Sequence, residues 1–125
     1  MSQAHPPTTK KVLIVDDEEG VRESLKLILE NHYDLIAAED GEQAMEILKN
    51  AKDVGVVLLD IKMPRYSGLE ILQQMRGQYP EIKIIMVTGY KSVETAQEAV
   101  RLGASGYLVK PFKSEEILST VGKHL

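Results

Sequence analysis

Three aspartates stand where apolar runs stop. Asp16 and Asp17 directly follow Val12-Leu13-Ile14-Val15, and Asp60 directly follows Val56-Val57-Leu58-Leu59. Two further runs end in a hydroxyl and an ammonium, Ile84-Ile85-Met86-Val87 before Thr88 and Tyr107-Leu108-Val109 before Lys110. Unbroken Val, Ile and Leu runs suit strands buried on both faces of a parallel sheet. The carboxyl ends of such strands line the ligand crevice of an open α/β sheet, so three acids, an alcohol and a lysine are expected along one edge. Gathered carboxylates repel, by about 4 kcal/mol for two unit charges ~4 Å apart at an effective dielectric near 20. A divalent cation removes that penalty. Mg2+ fits because it takes oxygen ligands and is commonly held by one or two carboxylates plus phosphate oxygens; Mn2+ is the alternative ion. Softer metals lack ligands, since His5, His32 and His124 fall in a leader, at a helix end and near the chain terminus, and cysteine is absent.

With such an ion in place, Asp60 is a candidate nucleophile toward phosphorus, giving an aspartyl phosphate. Lys110 offers a point charge to a phosphoryl oxygen and Thr88 a hydroxyl donor, so most of the catalysis is positioning plus electrostatics. Gly89 leaves room for the phosphoryl group, although a turn glycine explains it equally well taken alone. A strand-end aspartate by itself is more often a helix cap and a single lysine usually solvated; the functional reading rests on the set.

The elements that must position these groups alternate along the chain. Val21, Leu25, Ile28 and Leu29 recur at helical spacing after Asp17, with Glu18 and Glu19 at the positive end of that helix. Leu35 to Ala38 reads as the second strand, Gly41 to Asn50 as a helix entered through Asp40, and Val56 to Leu59 as the third strand. Ser67 with Glu70 resembles a capping box that opens a helix through Leu69, Leu72 and Met75, ended by Pro80. Ile82 to Val87 is the fourth strand, Ser92 to Leu102 the fourth helix with Gly103 as its C-cap, and a fifth strand follows at Tyr107. Ser114, with Glu115 and Glu116, is expected to start the last helix, which carries Ile117, Leu118, Val121 and Leu125. Five βα units imply an α/β fold with helices on both faces of a parallel sheet, and the helical stripes read as core.

The chain has 125 residues, 43% of them hydrophobic, which suits one domain. Residues 1–10, with Pro6-Pro7, read as a disordered leader and 11–125 as the folded unit. A net charge of -4 disfavours unaided binding to nucleic acid or an anionic membrane. No signal peptide is apparent and no run approaches the ~20 apolar residues of a membrane span, so a cytoplasmic protein is expected.

The motifs Val12-Leu13-Ile14-Val15-Asp16-Asp17-Glu18, Leu58-Leu59-Asp60-Ile61-Lys62-Met63-Pro64 with Ser67-Gly68-Leu69-Glu70, Val87-Thr88-Gly89, and Gly103 to Phe112 with Lys110-Pro111 resemble a response regulator receiver domain of two-component signalling. The resemblance covers nearly everything from Lys11 to Leu125. It implies a doubly wound, flavodoxin-like sheet in the order 2-1-3-4-5 flanked by five helices. It further implies that Asp60 is the phosphoacceptor, served by a phosphohistidine on a sensor histidine kinase or a phosphotransfer protein. Asp17 and Asp60 would ligate Mg2+ with the Lys62 backbone carbonyl, Asp16 acting mainly through water. Thr88, Gly89 and Lys110 would contact the phosphoryl group, Thr88 and Tyr107 would form the switch, and Lys110-Pro111 would be a cis peptide. The face of helix four, strand five and helix five would then control a covalently linked output domain, a partner, or a phosphorylation-dependent homodimer. Autophosphorylation and dephosphorylation would be the only catalysis. Lys62 and Tyr90 occupy positions that vary in the family and flank the path of hydrolytic water; their bulk is expected to prolong the phosphorylated state.

Other classes fit less well. A flavodoxin-type electron carrier needs a hydroxyl-rich phosphate loop where Asp16-Asp17 would repel. A phosphatase of the haloacid dehalogenase type wants a D-x-D arrangement, from which Asp16-Asp17-Glu18 and Asp60-Ile61-Lys62 both depart. A scaffold that signals by binding alone is the remaining alternative.

Overall fold

The computed structural model describes residues 10–125, so the expected leader lies outside the described residues except for Lys10. Five strands, β1 (Lys11–Val15), β2 (Leu35–Ala38), β3 (Val54–Leu59), β4 (Lys83–Thr88) and β5 (Gly106–Val109), alternate with five helices, α1 (Glu19–Leu29), α2 (Gly41–Asn50), α3 (Gly68–Gln78), α4 (Val93–Arg101) and α5 (Ser114–His124). All pairings are parallel and the order is β2-β1-β3-β4-β5, the doubly wound arrangement expected.

Strand periodicity divides the core into two layers, because successive side chains point to opposite faces. Leu13, Val15, Val57, Leu59, Ile84 and Met86 pack against α2, α3 and α4 through Ala44, Leu48, Leu72, Met75 and Ala99. Val12, Ile14, Val56, Leu58, Ile85 and Val87 pack against α1 and α5 through Leu25, Leu29, Ile117 and Val121. Both faces of the central strands are therefore dry, which is why these runs lack polar alternation.

The caps follow the local sequence. Asp40 accepts from the Gln43 N–H at 2.8 Å, and Ser67 and Glu70 form the expected capping box. Ser92 accepts from the Thr95 N–H at 3.3 Å, and Gly103 closes α4 with φ 107°. Three strand starts shift by one or two residues. β3 begins at Val54, since Gly55 interrupts the apolar run yet is buried in the ladder; β4 begins at Lys83 and β5 at Gly106. The cap of α5 also moves. Lys113, in extended backbone, is the N-cap and Ser114 is already helical; the Glu116 carboxylate reaches back to accept from the Lys113 N–H at 3.0 Å.

Candidate functional site

The chain leaves β1 for β2 on one side and returns to β3 on the other, so the crevice opens between the carboxyl ends of β1 and β3. Val15 pairs with Leu59, which puts Asp16 and Asp60 side by side just beyond the ladder. Asp16 and Asp60 are buried, whereas Asp17 is exposed. One carboxylate oxygen from each of Asp16, Asp17 and Asp60 lies within 4.8 Å of the others, a spacing one ion can span.

Lys110, from the end of β5, crosses the cleft to the two buried acids. Its ammonium donates to Asp16 Oδ2 at 2.9 Å and to Asp60 Oδ2 at 3.1 Å, and stands 3.6 Å from Glu18 Oε1. Backbone donors take the other carboxylate oxygens: the Glu18 N–H reaches Asp16 Oδ1 at 2.9 Å and the Ile61 N–H reaches Asp60 Oδ1 at 2.7 Å. Burial pushes the Asp16 carboxyl above its ordinary value, against the pull of the Glu18 N–H and Lys110, and the Asp60 charge adds to the rise. Burial alone would lower the Lys110 ammonium, but the hydrogen bond it donates to Asp16 and the charges of Asp60 and Asp16 outweigh it and raise the group above its usual range. Three acids, Asp16, Glu18 and Asp60, thus share one cation.

A cavity of about 430 Å³ opens over this cluster, lined by Asp17, Asp60, Lys62, Thr88, Gly89 and Lys110, with Glu18 and Tyr90 at its sides. Thr88 is fully buried, and its hydroxyl oxygen accepts from the Tyr90 N–H at 3.4 Å. Tyr107 does not line this cavity. It reaches the rim indirectly, its hydroxyl donating to the Tyr90 carbonyl at 2.8 Å; burial and then the Asp60 charge raise its phenol. The Lys110–Pro111 peptide is cis. A larger cavity of about 510 Å³ lies between α2 and α3, but among the described residues the acids close enough to hold one ion are Asp16, Asp17 and Asp60.

Sequence reasoning gave Glu18 only a helix-end role and missed its approach to Lys110; adjacency to Asp16-Asp17 was the available signal. It also missed Arg22, whose guanidinium donates to the Asp16 carbonyl at 2.8 Å, because side chain to backbone contacts leave no spacing pattern.

A family model described as the response regulator receiver domain matches residues 12–122. The chain belongs to that family. Its receiver domain is similar to those of longer regulators: it is 36% identical to the response regulator protein FleR of Pseudomonas aeruginosa over 116 residues, covering 91% of this chain and 24% of that protein. It is 39% identical to the response regulator MprA of a Mycobacterium species over 110 residues, covering 87% of this chain and 47% of that one. The chain therefore spans between a quarter and a half of the length of these relatives. Among solved structures, a CheY-like receiver domain protein from Methanospirillum hungatei superposes with a TM-score of 0.87 at 33% identity, covering 92% of each chain. The Vibrio cholerae chemotaxis protein CheY4 gives 0.86 at 35% identity, covering 94% of this receiver and 99% of that protein. The family is a signalling domain, and no helix among the described residues is long and apolar enough to cross a membrane.

Proposed function

We propose that residues 11–125 form a phosphoaccepting receiver in which Asp60 takes a phosphoryl group from a phosphohistidine on a sensor kinase or phosphotransfer protein. The observation that carries this reading is the Lys110 ammonium shared between the Asp16 and Asp60 carboxylates at the crevice of the sheet. Three clustered carboxylates with all-oxygen donors and one ammonium leave negative charge uncompensated, which fits a hard divalent ion. Asp17, Asp60 and the Lys62 carbonyl would hold Mg2+ directly, with Asp16 acting through water. When bound, the ion supplies charge neutralisation for the transferred group.

The chain's own residues do the rest. An oxygen of Asp60 attacks phosphorus as the phosphorus–nitrogen bond to the donor histidine breaks. Lys110, already within hydrogen-bond reach of Asp60, receives a phosphoryl oxygen, and Gly89 leaves room for the group. The Thr88 hydroxyl accepts from Tyr90 N–H but retains its own proton, which it donates to the phosphoryl group. Turning of the Thr88 side chain toward that group would break its bond from the Tyr90 N–H, and the Tyr90 carbonyl holds the Tyr107 hydroxyl, so Thr88 and Tyr107 communicate through one residue of the loop. The face they alter is apolar: Val93, Ala96 and Val100 of α4 and Val109 of β5 line a cavity of about 480 Å³ beside Tyr107. An output domain, a protein partner or a second receiver would read this face. Complete reversal of a 1:99 equilibrium needs about 5.5 kcal/mol of differential stabilisation, within reach of a doubly charged group contacting an ion, Thr88 and Lys110. The domain acts in the cytoplasm and catalyses only its own phosphorylation and dephosphorylation.

Intact mass after incubation with acetyl phosphate and Mg2+ tests the reading. One hydroxylamine-labile phosphoryl adduct is expected, absent without Mg2+ and absent in Asp60→Asn. No adduct, with Mg2+ binding established separately, would mean a scaffold that signals by binding alone.

A further inference from the structure

The loop joining Asp60 to α3 is clamped at both ends and bent sharply between them. At its ends, the Gly68 N–H donates to the Ile61 carbonyl at 2.7 Å. A Cβ on Gly68 would lie 1.9 Å from the Asp60 carbonyl oxygen, so α3 starts directly against the acceptor's peptide. In the middle, the Tyr66 N–H donates to the Pro64 carbonyl at 2.8 Å, closing a three-residue turn around Arg65. Arg65 has φ 69° and is the one non-glycine residue with positive φ among the described residues. An i to i+2 hydrogen bond around a left-handed residue has the sense of the rare and sterically costly γ-turn. Lys62, Pro64, Arg65 and Tyr66 are exposed, so core packing does little to hold this bend.

An ion pair crosses from the bend to a neighbouring helix. The Arg65 guanidinium pairs with the Glu42 carboxylate in the first turn of α2. Glu42 is a firm anchor: Asp40 caps α2, and a Cβ on Gly41 would fall 2.3 Å from Ile71 Cδ1, which shows how closely α2 begins against α3. Between the clamped Ile61 and the pinned Arg65 lies Lys62, so the direction of its carbonyl depends on both.

We propose that Arg65 and Glu42 form a latch that holds the 61–67 loop in its bent form and thereby positions the Lys62 carbonyl for the divalent ion. Arg65 and Glu42 are positioning residues, and the inference rests on the reading of the Lys62 carbonyl as an ion-binding oxygen.

Calorimetric Mg2+ titration of the wild-type chain, Arg65→Ala, Glu42→Gln and the double variant tests it, with thermal midpoints and amide hydrogen exchange of residues 62–66 measured alongside. Each single variant should lose about two- to fivefold in Mg2+ affinity, the range set by what an exposed ion pair contributes. The double variant should lose no more than either single one, and exchange across 62–66 should quicken in all three. Arg65→Lys should retain most of the affinity. Arg65→Gly separates positioning from stability, because glycine relieves the left-handed strain: its midpoint should not fall, yet its Mg2+ affinity should drop as in Arg65→Ala. Unchanged affinity in the variants, additive losses, or losses that follow the thermal midpoint would overturn the latch. Failure of the wild-type chain itself to bind Mg2+ would overturn the reading of the site and the latch with it.

Discussion

Lys110 holds together two carboxylates that would otherwise repel, and the balance is incomplete because Asp16, Glu18 and Asp60 share this one ammonium while Asp17 adds a further carboxylate beside Asp16 and Asp60. Asp16 is the residue where the imbalance is felt, its carboxyl raised by burial. A carboxyl raised in the fold binds more protons there than in the unfolded chain, so its contribution to stability falls as pH rises from 3.8 through the raised value. Without Mg2+, Asp16→Asn should therefore match the wild-type chain below that window and become the more stable of the two above it, as urea melts at several pH values would show. Lys110 follows the same sign in a higher window. Its raised value means that its stabilisation is present at neutral pH and is lost only as pH climbs through a value above 10.5. At the cleft rim, Lys62 and Tyr90 flank the approach to Asp60. Lys62→Ala and Tyr90→Ala should each shorten the half-life of the phosphorylated form severalfold, and unchanged half-lives in both would remove these side chains as shields.

Helix placement decides how close Asp60 comes to its neighbours. Gly68 opens α3 because nothing larger fits against the Asp60 carbonyl, and the Ser67–Glu70 box fixes the helix start at that point. Gly68→Ala sets a methyl group against backbone that cannot rotate away, so destabilisation of about 3 kcal/mol is expected from overpacking, read as a lowered urea midpoint. By contrast α4 is thinly attached: Ala99 is its one buried residue, while Val93 and Val100 are 69% and 62% exposed. A helix so placed can change its seating with little loss of core, which suits the part proposed for the face beside Tyr107.

For the whole molecule, topology places the chemistry. β1 and β3 are neighbours although a complete βα unit separates them in sequence, and their shared register carries Asp16 to Asp60. An ion that binds this assembled cluster and not the unfolded chain adds about 2.7 kcal/mol at one hundred times its dissociation constant, so Mg2+ should raise the thermal midpoint by roughly 10 °C. Asp60→Asn should lose much of that rise. The alternation of apolar runs and helical stripes, with polar residues at the run ends, already specified five βα units and singled out Asp16, Asp17, Asp60, Thr88 and Lys110, because strand burial and helix amphipathicity are written in local periodicity. The sheet order and the receiver family were legible through the motifs around those residues. Tertiary structure alone decided that Lys110 bridges Asp16 and Asp60, that Tyr107 ties to the Tyr90 carbonyl, and that Arg65 bends against its steric preference to meet Glu42. Each of these joins residues distant in sequence through side-chain reach and hydrogen-bond direction, which no local spacing encodes.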